Sequence, residues 1–325
     1  MPNIAVTLPI EPDWRGIVEE VLAEAADLEF LVDLSDDGRL ASLRRADALL
    51  AWNPHAELSA DELAAADSAE FMQLMSAGAD HLDFDDLPDG LTVASNAGAY
   101  AEPIAEHVLG MTISLARHLR REHENLRRGE FNQRRVNKSV RGANLGIVGY
   151  GGIGREVARV FRPLGVDVYA VNTTGRTDDE VAWCGTLEEL DYLLARADVL
   201  VLSLPLTPRT AGLIGAEELR AMKSDAILIN VARGEHVDQE ALYEHLTANE
   251  EFQAGLEAWW VEPFRHGEFR VDYPLLELPN VLGCPHNSAV VPGALRRGIR
   301  RASQNLKRRL QGAEVDGLVD PEVYR

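Results

Sequence analysis

The sequence predicts an α/β protein built from two doubly wound domains, each on a parallel sheet. Three observations predict it. Short apolar runs alternate with Ala- and acid-rich helical stretches through the first hundred residues, the pattern of strands joined by crossover helices. A second series of the same kind starts at Ala143. Where its first strand should give way to its first helix stands Gly149-Tyr150-Gly151-Gly152-Ile153-Gly154, a GxGxxG. At 325 residues the chain is long enough for two independent cores.

Taken in order, Ile4–Leu8 reads as a strand and residues 14–26 as a helix whose apolar face is Ile17, Val18, Val21 and Leu22. Phe30–Val32, Ala48–Ala51 and Phe71–Met75 are the next strands. An uninterrupted helical pattern runs from Pro103 to about Arg128, with Pro103 tolerated in its first turn. In the second series the strands fall at Ala143–Val148, 166–171, 199–204, 226–230 and 281–283. The last helix, about 292–311, is rich in arginine (Arg296, Arg297, Arg300, Arg301, Arg308, Arg309), and a solvated face is expected there rather than a nucleic-acid contact.

Charge narrows the function classes. Asp and Glu outnumber Lys and Arg by 53 to 32, a net charge of −21, and only Lys138, Lys223 and Lys307 are lysines. Such a surface repels nucleic acid and anionic lipid, so neither is an expected partner. It resembles the surface of proteins from halophilic archaea; the alternative is a GC-rich genome favouring Arg over Lys. Cys184 and Cys284 are the only cysteines, no zinc-ligand spacing occurs, and no metal is expected. No signal peptide and no long uncharged apolar stretch is evident, and a cytoplasmic protein is expected.

The glycine loop is read as a phosphate cradle. Gly149 permits a tight turn, Gly151 lets backbone approach a pyrophosphate, and Gly154 allows close helix–strand packing. Tyr150, Gly152 and Ile153 complete the loop, and the following helix presents free N–H groups to the phosphates. At the end of the next strand a carboxylate would favour NAD(H) by binding the ribose hydroxyls. Here stand the uncharged Asn172, then Thr173, Thr174 and Arg176, groups suited to a 2′-phosphate. NADP(H) is therefore favoured, with NAD(H) as the second cofactor.

Three later segments specify the chemistry: Ile229-Asn230-Val231-Ala232-Arg233-Gly234, Gly255-Leu256-Glu257-Ala258-Trp259-Trp260-Val261-Glu262-Pro263, and Leu278–His286 ending in Cys284-Pro285-His286. With the glycine loop, Pro205–Thr210, Ser76–Asp80 and Asn96–Tyr100, they closely resemble the D-isomer-specific 2-hydroxyacid dehydrogenase family over nearly the whole chain. The resemblance implies reversible hydride transfer between NAD(P)H and a 2-keto acid, giving a D-2-hydroxy acid. It implies that Arg233 binds the substrate carboxylate and polarises the 2-carbonyl, that His286 is the acid/base, and that Glu262 orients the imidazole and favours its charged form. Each role suits the residue type: a fixed planar cation, a group that exchanges protons near neutrality, and a carboxylate partner.

The resemblance further implies that the amides of Ala77 and Gly78 face the substrate carboxylate, with Tyr100 nearby and Trp52 at a position of side-chain selectivity. Packing is an equal expectation for Trp52. Val231, Ala232 and Ser288 are expected near the nicotinamide, and Leu204, Pro205 and Thr210 near the adenosine half. Glu257 stands where the family usually has an aspartate on the nicotinamide amide, so a shifted contact is expected. The implied architecture is two Rossmann-like domains: a discontinuous substrate domain, 1–100 with 288–325, and a dinucleotide domain, 101–287. A homodimer using the long helix is also implied. The corepressors of the C-terminal-binding-protein type, nucleotide sensors with similar catalytic residues, are the alternative from another functional class. Formate dehydrogenases of this fold characteristically carry Gln where Glu262 stands.

Overall fold

The computed structural model describes residues 1–325 as two compact units, Met1–Tyr100 with Val290–Arg325, and Ala101–Ala289. The first holds a five-stranded parallel sheet of β1 (Asn3–Val6), β2 (Asp27–Phe30), β3 (Ala48–Ala51), β4 (Phe71–Leu74) and β5 (Thr92–Ala94) in the order β2-β1-β3-β4-β5. Alternate side chains of a strand point to opposite faces. Ala48 and Leu50 accordingly join a core with Ile17, Val18 and Leu22, and Leu49 and Ala51 one with Leu43 and Leu63. Burial on both faces explains why β3 is apolar throughout.

The helix Ala294–Leu310 returns to this unit and buries Ile299, Ala302 and Leu306 against its sheet. Its outer arginines meet acids of the same unit: Arg296 lies 2.6 Å from Asp13 and Arg300 2.8 Å from Glu20. These pairs are exposed, and each contributes little to stability.

The second unit holds seven parallel strands: β6 (Asn144–Val148), β7 (Asp167–Val171), β8 (Trp183–Gly185), β9 (Val199–Leu202), β10 (Ile227–Asn230), β11 (Gln253–Leu256) and β12 (Val281–Gly283). Their order is β12-β11-β10-β9-β6-β7-β8. Strand order reverses between β6 and β9, the switch point at which open parallel sheets gather ligands outside their carboxyl ends. No helix is long and apolar enough to cross a membrane.

Several expected elements are corrected. The helix expected unbroken from Pro103 to Arg128 is two helices, Ala101–Ala116 and Leu119–Arg127, because His118 adopts a left-handed conformation (φ 49°). The second helix is anchored by Arg120, whose guanidinium donates to the carbonyls of Leu276, Leu278 and Val281. The strand expected at Phe30–Val32 ends at Phe30, and Leu31–Asp33 forms a single 3-10 turn. Strands β5, β8 and β11 were not anticipated. β5 and β8 have three residues each, too few for a period to show, and in β11 Gln253 and Gly255 are poor strand formers held by pairing on both sides.

Candidate active site

The expected cofactor-binding segments of the second unit follow carboxyl ends of its parallel strands. After β6, Gly149 has φ 96°, and a Cβ there would lie 2.5 Å from the Ser203 carbonyl oxygen. A Cβ on Gly154 would meet the Gly149 carbonyl oxygen at 2.4 Å, whereas one on Gly151 would meet nothing within 4 Å. The loop is therefore closed toward the protein and open at Gly151, ahead of the helix Gly152–Phe161, as a cradle for a pyrophosphate requires. Tyr150 is buried and Ile153 is half-buried in the same turn.

After β7, the Asn172 side chain is not presented to a ligand as expected. Its Oδ1 accepts from the amides of Thr174 (3.0 Å) and Gly175 (2.7 Å), and its Nδ2 donates to the Arg176 carbonyl (2.8 Å). Asn172 shapes the loop, and Thr173, Thr174 and Arg176 are what it exposes. After β9, Leu204 and Thr210 are buried and Pro205 is exposed; the Thr210 hydroxyl donates to the Pro205 carbonyl (2.8 Å).

The three proposed catalytic residues follow three neighbouring strands. Pairing of Asn230 with Leu256, and of Leu256 with Gly283, sets the ends of β10, β11 and β12 side by side. Beyond β10, Asn230 is fully buried, accepting from the Ala232 amide (3.0 Å) and donating to the Arg233 carbonyl (2.7 Å), so it fixes the turn that carries Arg233. Val231 and Ala232 are buried beneath that turn. Gly234 lets the turn touch the next loop: a Cβ there would lie 2.3 Å from the Trp259–Trp260 peptide.

In that next loop, Glu262 Oε1 accepts from the Trp259 amide (2.6 Å), and Oε2 lies 2.7 Å from His286 Nδ1. Burial alone would raise the Glu262 carboxyl. The hydrogen bond and charge of His286, the Trp259 amide and the charge of Arg233 outweigh it and hold the group below its ordinary value. His286 has φ 49°, a left-handed conformation that costs a non-glycine residue on the order of 1 kcal/mol and is held by its own amide donating to the Glu257 carbonyl (3.1 Å). With Nδ1 on Glu262, Nε2 is the nitrogen left to exchange a proton with a ligand.

Glu257 is fully buried, and its Oε1 accepts from the Ser288 amide (2.9 Å). Oε2 has no partner in the chain and lies 4.0 Å from His286 Nε2. An orphan buried acceptor beside His286 Nε2 fits a ligand amide N–H there, and with the glycine cradle it makes these residues fit a nicotinamide dinucleotide.

The segment after Pro263, which sequence left unplaced, packs beside this site. His266 Nδ1 accepts from the Glu262 amide (3.1 Å), Arg265 pairs with Glu235 (2.6 Å), and Phe269 meets Trp259 edge-on at 5.4 Å. Asn230, Gly234 and His266 are supporting residues that sequence reasoning missed. Only Asn230 carried a signal, a polar residue closing an apolar strand.

In the first unit, the amides of Ala77 and Gly78 follow β4, half-buried and without an acceptor in the protein. Trp52 is half-buried against the core and stacks at a tilt on Trp14, with ring centroids 6.0 Å apart. Its amide and that of Asn53 donate to Glu57 (3.0 and 2.7 Å). Tyr100, expected near substrate, is a packing residue: its ring abuts Gly298, its hydroxyl donates to the Met75 carbonyl (3.0 Å), and burial pushes that hydroxyl up to about 12.

The sequence matches, over residues 109–288, a family model described as the NAD-binding domain of D-isomer specific 2-hydroxyacid dehydrogenases. The D-3-phosphoglycerate dehydrogenase of Methanocaldococcus jannaschii is 28% identical over 323 residues, 98% of this chain but 60% of that protein, so the chain spans three-fifths of that relative's length. The hydroxypyruvate reductase of Thermotoga maritima is 32% identical over 244 residues, 74% of this chain and 78% of that one. A D-isomer specific 2-hydroxyacid dehydrogenase from Xanthobacter autotrophicus Py2, solved with NADPH and MES, has a TM-score of 0.81 at 26% identity and covers 99% of this chain and 98% of its own.

Proposed function

The chain belongs to the D-isomer specific 2-hydroxyacid dehydrogenase family, and from that premise we propose that it reduces 2-keto acids reversibly to D-2-hydroxy acids, with NADPH preferred over NADH. The observation that carries this reading is the Glu262–His286 pair, whose carboxylate also feels the charge of Arg233. The bound nicotinamide would supply the hydride that reaches C2 of the keto acid.

The protein's own residues do the rest. Arg233 binds the substrate carboxylate and stabilises negative charge developing on the carbonyl oxygen. His286 Nε2 holds the proton delivered to that oxygen, and takes it back in the oxidation direction. Glu262 fixes the ring through Nδ1 and supplies the counter-charge of the imidazolium. The unengaged amides of Ala77 and Gly78 suit a substrate carboxylate. Glu257, Ser288, Val231 and Ala232 flank the nicotinamide, Leu204, Pro205 and Thr210 the adenosine half, and Arg176 the 2′-phosphate.

The assembly we propose is a homodimer using the helix Ala101–Ala116 and the segment after Arg128, where Phe131 (76% exposed) and Val136 (86%) have no cover from their own chain. The net charge of −21 fits a protein working in molar salt.

The test is a panel of glyoxylate, hydroxypyruvate, pyruvate and longer aliphatic keto acids with NADPH and NADH, with chiral analysis of the product. Reduction of at least one to its D isomer, with higher kcat/KM for NADPH, is expected. Tight cofactor binding without turnover of any keto acid would overturn the enzyme reading in favour of a nucleotide sensor.

A further inference from the structure

His236 is a fully buried imidazole that the proposed chemistry does not use. It ends the single 3-10 turn Gly234–His236 directly after Arg233. Its Nδ1 lies 2.9 Å from the Thr210 carbonyl oxygen and its Nε2 3.2 Å from the Leu204 carbonyl oxygen. Both carbonyls belong to the loop after β9, which also knits itself together: the Thr207 amide donates to the Thr210 hydroxyl (2.9 Å), and that hydroxyl to the Pro205 carbonyl (2.8 Å).

Backbone pairing joins the same two stretches only farther along. The amides of Gly212 and Ile214 donate to the carbonyls of Glu235 and His236, and Ile214 bridges Val237. Before Gly212 the link passes to the ring of His236, which spans the loop from Leu204 to Thr210. A neutral imidazole carries one N–H and donates to one of the two carbonyls; donation to both takes a second proton. Burial opposes that proton, as does the charge of Arg233, while the two carbonyls and Glu235 favour it; the balance leaves His236 below its ordinary value.

We propose that His236 is a positioning residue that ties the Leu204–Thr210 loop to the turn bearing Arg233, and so sets the loop for the cofactor. The proposal rests on the reading of that loop as a cofactor contact. The tie itself is a property of the protein without ligand and can be measured separately.

The experiment compares His236→Leu, which keeps apolar bulk but removes the ring N–H, and His236→Asn, which keeps a donor near Nδ1. Amide hydrogen exchange at Thr207, Thr210 and Ala211 is followed in the ligand-free protein, with NADPH affinity by fluorescence titration. His236→Leu is expected to speed exchange at these amides about tenfold and raise the NADPH Kd about tenfold, as loss of one buried hydrogen bond implies, with His236→Asn between it and the wild type. The keto-acid KM at saturating NADPH should stay within about twofold.

Unchanged exchange would overturn the tie. Faster exchange with an unchanged Kd would reduce His236 to a packing residue. A wild-type protein that binds neither NADPH nor NADH would sink the proposed function, while the exchange measurement would still decide the tie.

Discussion

Glu262 meets His286 Nδ1 with both carboxylate oxygens, Oε2 at 2.7 Å and Oε1 at 2.9 Å, while Oε1 also accepts the Trp259 amide at 2.6 Å. The imidazole is thus held from one side by a carboxylate that is itself fixed. Glu262→Gln keeps the shape and an acceptor for Trp259 but removes the counter-charge of the imidazolium. The pH profile of kcat/KM for reduction should move to lower pH, with a smaller loss at its optimum than histidine removal causes. An unmoved profile would leave Glu262 a structural role only.

The same residue makes a stability prediction. The Glu262 carboxyl lies below its ordinary value of 4.5 in the folded protein, so its contribution is present at neutral pH and lost as pH falls through the folded value. The difference in Tm between wild type and Glu262→Gln should therefore hold at neutral pH and shrink as pH is lowered below 4.5 toward the folded value. A constant difference across that range would contradict the linkage.

Gly234→Ala places a methyl 2.3 Å from the Trp259–Trp260 peptide, where backbone rather than a flexible side chain must yield. Overpacking of this kind costs about 1–3 kcal/mol. Displacing the Arg233 turn should also lower kcat/KM about 100-fold, since small misplacements of a binding group have effects of that order. Denaturant unfolding and keto-acid kinetics on one preparation check both, and a neutral substitution would show that the two loops move independently.

Cofactor preference should reside in Arg176, because Asn172 is engaged with its own loop. Arg176→Ala should weaken NADPH binding about 10- to 100-fold, the worth of a charged hydrogen bond, and leave NADH nearly unchanged. Asn172→Asp should shift preference toward NADH by two routes, repulsion of the 2′-phosphate and loss of the donor to the Arg176 carbonyl. Equal losses for both cofactors in Arg176→Ala would place the 2′-phosphate elsewhere.

Salt should stabilise the protein. Molar KCl weakens exposed pairs such as Arg300–Glu20, each worth little, but screens the larger repulsion of 21 excess negative charges. Two of the three lysines, Lys138 and Lys223, converge on Asp198, at 3.8 and 2.8 Å, and leave few ammonium groups on the surface. Tm and activity should both rise from dilute buffer to molar KCl; full activity and an undiminished Tm at low salt would favour codon bias as the origin of the composition.

Much of the fold was legible because period and burial coincide. β3 lies in an apolar run between Asp47 and Asn53, and its observed limits, Ala48–Ala51, are those expected. The helix break at His118 was not legible, since no residue type there signals a left-handed turn and the carbonyls that hold Arg120 beyond it lie about 160 residues away. β11 was hidden because Gln253 and Gly255 take strand geometry from their neighbours rather than from propensity. Within the site, Arg233, Glu262 and His286 could be named from ordered motifs, but the backbone contact at Gly234 and the ring bonds of His236 exist only once β9, β10 and β11 lie side by side. Asn172 shows the limit from the other direction: its residue type pointed to a ligand, and its side chain is bonded to its own turn.

If His286 Nε2 delivers the proton in keto-acid reduction, the kinetics of His286→Ala with one good keto acid, measured beside its NADPH Kd, must show it. A fall of about 10²–10⁴-fold in kcat/KM is expected, the usual worth of a positioned general acid, with the Kd essentially unchanged. Near-normal reduction by His286→Ala would contradict it and send the search for the proton donor elsewhere.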